Sequence, residues 1–128
     1  VCNIGDQIRI TARKPADFNM TEALLIRITC PSKDVAQKIA DASVEQRLAA
    51  CANIEGPVTS TYLWKGVVEQ AFEHVLWLKS VAPCWSALET LVNRIHPYDV
   101  PAMVAMPVSH MPAPFATWLD ENTKAPAE

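Results

Sequence analysis

His96 stands in the segment His96-Pro97-Tyr98, and it is the histidine whose neighbours best fix its place. Imidazole is a common ligand of copper and zinc and titrates near neutral pH, so a histidine held at a helix end can take a metal ion or ligand. The structural alternative is that His96 caps the preceding helix by bonding a terminal carbonyl. His74 and His110 have neither motif nor partner and are expected in surface or core roles. Glu69, Glu73 and Lys79 share one strand face by parity. Carboxylates and an amine along one face can bind a polar ligand or move protons, and they can equally form ion pairs between strands or subunits. Lysine is rarely buried unpaired, so Lys79 near the end of an apolar strand is expected to meet a carboxylate of a neighbouring subunit.

Cysteines occur at 2, 30, 51 and 84, with no CxxC pair. Reduced, independent thiols are expected, which suits the cytoplasm. Cys51 has only Arg47 as a cation close in sequence and reads as a buried small hydrophobe rather than a reactive thiol; Cys2 and Cys84 read the same way. There is no GxGxxG, Walker loop, HExxH or nucleophile elbow. With three His and dispersed Cys, a closed zinc site within one chain is not expected, so any metal site should be shallow or shared between subunits.

The elements that must position these residues follow from periodicity. Residues 23–30 (ALLIRITC) form an apolar, β-branched run that predicts a central strand ended by Pro31. Ser32 is the expected N-cap of a helix over 33–50, with Asp34, Lys38, Asp41 and Glu45 outward and Val35, Ile39, Ala42 and Ala49 inward. A short strand over 51–54 meets a bend at Glu55-Gly56-Pro57. Strands over 58–64 and 67–80 then flank Lys65-Gly66, a hairpin loop in which glycine supplies positive φ. Pro83 suits a first helical turn. Leu88, Leu91, Val92 and Ile95 follow the stripe of a surface helix, which Pro97 stops while pushing His96 to an extended backbone. A last strand over 102–108 and a short helix over 112–121 complete the order βαββαβ plus a C-terminal element. That is an α+β, ferredoxin-like sandwich with a long hairpin, a fold that by itself names no function.

At 128 residues the chain has room for one domain, expected over 21–121, with a polar, frayed tail over 122–128. Residues 1–20 read as a loose extension or a stretch foreign to the natural chain, since Met20 looks like a natural start. They lack the apolar centre of a secretory signal. Half the residues are hydrophobic and a fifth charged, which makes the chain globular. A net charge of −3 with scattered basic residues argues against nucleic acid, and no apolar run reaches the roughly 20 residues that span a bilayer.

The segments RLAACANI (47–54), TSTYLWKG (59–66), Glu69 with Glu73, LKS (78–80) and HPYDVPAMVAMPV (96–108) together resemble the CutA divalent-cation tolerance family over residues 24–119. The resemblance implies a ferredoxin-like subunit in a tight homotrimer, its long hairpin packed on neighbouring subunits, with an architecture similar to the PII signalling proteins. It implies a part in tolerance of copper and other divalent cations, no obligatory cofactor, and no established catalytic reaction. Animal members are linked to membrane localisation of acetylcholinesterase. Tyr62, Trp64, Tyr98 and Trp118 fit the family's aromatic positions, where core and interface roles are the default. Ser80 departs from a usual Thr. HMPAPFATW (110–118) lacks the usual Gly and Tyr, with Phe115 at the Tyr position. A first-strand Cys connected with copper in relatives is replaced by Ile28, with Cys30 two residues on and on the same face.

These observations lead to an expected ligand cleft between subunits lined by Tyr62, Trp64, Glu69, Lys79, His96, Tyr98 and Trp118, with His96 and Cys30 as candidate ligands for copper or another divalent cation. A small anionic ligand is the other candidate occupant. Two alternatives stay open: a small enzyme using the Glu/Lys/His set, and a scaffold whose partners dock on the trimer. The hairpin strands exceed the mean strand of about 5–6 residues, and with Trp64 and Trp77 they carry more apolar surface than two modest helices cover. The trimer that the resemblance implies would bury the surplus and cover the unpaired edges.

Overall fold

The structure, a computed structural model, describes residues 22–126; the N-terminal extension and Cys2 lie outside them. The first strand, β1 (Ala23–Cys30), leads through Pro31 into α1 (Lys33–Glu45). The Ser32 hydroxyl accepts the Val35 N–H at 3.2 Å, satisfying one of the open donors of the first turn. The helix stops earlier than its periodicity predicts. Arg47 turns to φ 60°, Leu48 N–H bonds the Ser43 carbonyl and Arg47 N–H bonds the Val44 carbonyl. This is a Schellman ending with arginine in the left-handed place that glycine usually takes. A Cβ in that conformation costs about 1–2 kcal/mol, and no residue type in the sequence announced the stop.

Strands β2 (Cys51–Trp64) and β3 (Val67–Val81) pair from end to end, apart from a register shift between Glu55 and Val58. Gly56 sits in that shift at φ 137°, where an added Cβ would meet the Glu73 carbonyl oxygen at 3.1 Å; only glycine fits. The bend expected there is thus an irregularity within one strand. Lys65 and Gly66 both take positive φ, 51° and 80°, the tight connection whose twist matches the flanking strands. A 3-10 turn (Ala82–Cys84) precedes α2 (Trp85–Ile95), followed by β4 (Met103–Pro107) and α3 (Ala113–Glu121).

The result is a mixed α+β domain with one antiparallel four-stranded sheet in the order β2-β3-β1-β4. Register places Ile26 opposite Leu78 and Ile28 opposite Leu76. These four side chains, Ile39 of α1, Leu88 and Leu91 of α2, and Trp118 and Leu119 of α3 are buried in one cluster. Helix α1 buries Ala36, Ile39, Ala40 and Ser43, so its inward stripe is shifted from the one expected, with Val35 and Ala42 only half-buried. Residues 122–124, expected to fray, are tied down. Asn122 and Thr123 bond carbonyls of α3, and Lys124 N–H donates to the Arg47 carbonyl at 2.7 Å. None of the described helices is long and apolar enough to cross a membrane.

Strand β1 reaches β3 only as far as the pair Cys30 and His74. Beyond it, residues 67–73 of β3 pair with β2 alone among the described residues. The hairpin therefore projects from the sheet as a two-stranded ribbon about 23 Å long at roughly 3.3 Å per residue.

Candidate functional site

Four polar side chains gather where β1 ends, the ribbon begins and α2 has just stopped: Cys30, Glu73, His96 and Tyr98. Pro97 forces His96 out of the helix at φ −70°, ψ 133°. Its ring then turns inward rather than capping α2. Nε2 lies 2.8 Å from the Thr29 carbonyl oxygen, and the Tyr98 N–H donates to Nδ1 at 3.2 Å. A ring nitrogen that accepts an N–H carries no proton, so the proton sits on Nε2 and is given to Thr29. His96 is 4% exposed and its ring packs on Tyr98 with centroids 4.8 Å apart. Glu73, 6% exposed, has its Oε2 at 3.4 Å from the Tyr98 hydroxyl, which donates to it.

Burial pushes the Cys30 thiol up to about 11, and the Glu73 carboxylate adds to the shift. The Tyr98 phenol is also raised, first by burial and then by Glu73 and Tyr62. Both groups therefore hold their protons near neutral pH. A metal ion needs a thiolate and an unprotonated imidazole nitrogen that points at it. Cys30 supplies a fully buried protonated thiol, and both His96 nitrogens are already engaged. Among the described residues no three His, Cys, Asp or Glu side chains converge on a point. The pair expected to bind copper does not fit a divalent cation within one protomer, because the fold has used both groups for packing and pinning.

Lys79 lies at the other end of β3. Its ammonium bonds the Asn53 amide oxygen at 2.7 Å and lies 3.9 Å from Cys51 Sγ. Within the protomer, its partner is thus a neutral side chain on the adjacent strand. Register places Lys79 opposite Cys51 and Trp77 opposite Asn53, so the bond runs diagonally, within reach of a long side chain. On the same face the Trp77 indole N–H donates to Glu55 at 2.7 Å, and Arg27 lies 5.7 Å from the Trp77 ring centroid. Asn53, Glu55 and Arg27 were not singled out as ligand candidates. The period of two on β3 was the available signal, but pairing it with β2 required the register.

A family model described as CutA1 divalent ion tolerance protein matches residues 24–122. The chain belongs to that family. It is 42% identical over 99 residues to the divalent-cation tolerance protein CutA of Thermus thermophilus, covering 77% of this chain and 96% of that one. It is 39% identical over 98 residues to mouse protein CutA, but there the match spans only 55% of the relative. Among solved structures, a divalent cation tolerance protein of Thermus thermophilus superposes with a TM-score of 0.79 at 41% identity, covering 80% of this chain and 99% of that one. CutA1 from Oryza sativa gives 0.79 at 30% identity, covering 83% and 98%. A relative from Archaeoglobus fulgidus, 32% identical with a TM-score of 0.77 over 80% of this chain and 99% of that one, is described as periplasmic.

Of the remaining CutA1-type positions, Tyr62 lies near enough to Tyr98 to act on its phenol, and the rest are dispersed over the protomer. Tyr62 pairs with Glu69 across the projecting ribbon and Trp64 closes its tip, all exposed. Ten residues separate Glu69 from Lys79, about 33 Å along the strand, so the two cannot grip one small ligand within a chain. Trp118 is core, packed on Phe115 at 5.5 Å between centroids. Ser80 keeps the hydroxyl of the usual Thr and uses it on the Leu48 carbonyl, pinning the turn after α1 to β3. Cys30 and Ile28 both point into the core, as a shift of two on a strand requires.

Proposed function

We propose that the chain acts as a homotrimer in divalent-cation tolerance, without catalytic chemistry of its own, and takes a divalent cation or small anionic ligand in clefts between subunits. The observation that carries the assembly is the projecting ribbon. Leu63 is 71% and Phe72 76% exposed there, with Val67, Val68 and Trp64 also open. A two-stranded ribbon is marginally stable in water unless a further surface covers it. The sheet order β2-β3-β1-β4 supports a ferredoxin-like reading of the fold. It leaves β4 as the far edge, presenting Val104 and Met106. An apolar ribbon on one edge and an apolar strand on the other suit head-to-tail closure of identical copies around an axis.

Closure of that kind would also bring Glu69, Tyr62 and Trp64 of one copy beside another's sheet, which no single protomer achieves. Cys30, Cys51 and Cys84 are unpaired thiols, which fits the reducing cytoplasm.

Light scattering on the purified protein tests the assembly: three chains of 14.1 kDa should give a mass of about 42 kDa that persists in high salt, since apolar burial is not screened. A folded monomer at micromolar concentration would overturn it. Copper tolerance of cells with and without the protein tests the role, and equal growth would remove it.

A further inference from the structure

On the helix side of the sheet a cavity of about 480 Å³ opens between the end of α1, one side of α2 and the C-terminal tail. Its size lies within the range of small-molecule sites. Three cationic residues from three separate segments line it: Arg47 after α1, Arg94 in the last turn of α2, and Lys124 in the tail. Among the described residues no acidic side chain lines it. Gln46 and Thr90 add polar atoms to the rim, while Leu48 and Leu91 form a buried apolar floor.

Taken singly, each cation has a local task. Arg94 faces the negative end of the α2 dipole, and an Arg47 N–H donates to the Glu121 carbonyl oxygen. Arg47 holds its left-handed position with a guanidinium bond that a glycine there would lack. The same residue ties the tail in place twice, through its guanidinium to Glu121 and through its carbonyl to the Lys124 N–H. That second bond carries Lys124 to the cavity mouth. A guanidinium has five N–H donors, and one of Arg47's reaches the Glu121 carbonyl oxygen.

We propose that this cavity is a binding site for a small phosphorylated molecule with an apolar or planar body, its phosphate held by Arg47, Arg94 and Lys124 and its body laid on Leu48 and Leu91. Arginine forks match phosphate oxygens in pairs, and a third cation supplies the remaining charge. The site takes no residue from the ribbon or from β4, so it stands whether or not the copies associate as proposed above.

Calorimetry with 1-naphthyl phosphate as probe tests it on the whole protein, with inorganic phosphate and 1-naphthol as the two halves. Saturable binding of naphthyl phosphate is expected, about tenfold or more tighter than either half and weaker in high salt. Arg94→Gln, an exposed change that leaves the core intact, should weaken it about tenfold. Arg47→Gly removes the guanidinium and relieves the backbone, so it should lose a similar factor while circular dichroism shows a folded protein. Lys38→Gln, the same charge change on the outer face of α1, should leave affinity unaltered. No saturable binding, equal affinity in Arg94→Gln, or an equal loss in Lys38→Gln would each overturn the proposal.

Discussion

The Nε2 of His96 and the carbonyl oxygen of Thr29, 2.8 Å apart and 67 residues apart in sequence, fasten the end of α2 to the end of β1. Replacing His96 by alanine should remove that pin, leave the Thr29 carbonyl unpaired and open a cavity, at a cost of about 2–4 kcal/mol. Urea unfolding at a fixed protein concentration measures it. His96→Gln, which keeps an N–H donor, should recover part of the loss. Copper affinity by calorimetry should be the same in the folded His96→Gln variant as in the natural protein, because neither ring nitrogen is open to a metal.

Cys30 makes stability fall in alkali. Its thiol titrates near 9.0 when unfolded and at about 11 in the fold, so between those values the unfolded chain has given up a proton that the folded chain retains. Stability from this residue is whole below pH 9 and declines as pH rises towards 11, by at most about 1.4 kcal/mol for each step of one in pH. Cys30→Val should flatten the decline between pH 9 and 11 in thermal unfolding; an identical slope would refute the assignment.

Phe72→Lys and Leu63→Lys test the ribbon. Both side chains are exposed in the protomer, so the changes remove nothing from its core. Each should shift the light-scattering mass towards a single chain and lower the melting temperature, with the drop depending on protein concentration. A trimer of unchanged stability in both variants would mean that the ribbon does not hold the assembly.

Ser43 is fully buried in α1, and its hydroxyl has no hydrogen-bond partner among the described residues. Ser43→Ala removes an unsatisfied polar atom and raises helix propensity, so a gain of about 1 kcal/mol is expected. Differential scanning calorimetry should show a melting temperature higher by a few degrees.

Alternation and helical stripes placed β1, β3, α2 and the hairpin turn close to where they stand, because burial on one face selects residues directly and Pro97 and Gly66 act through their own backbones. The family too was legible in short segments such as residues 47–54 and 96–108, since their order along the chain is a property of sequence alone. Three things were not legible, each for a reason of partnership. Arg47 ends α1 in a conformation that nothing local favours, and its reward comes from Glu121 and Lys124, across the fold. Lys79 calls for a polar partner, and which one it has within the chain, Asn53, depends on the strand register. His96 carried the chemistry of a metal ligand in its type and setting; tertiary structure decided otherwise by presenting the Thr29 carbonyl to one nitrogen while the Tyr98 N–H engages the other. A sequence states which donors and acceptors exist, and packing decides which of them are already satisfied.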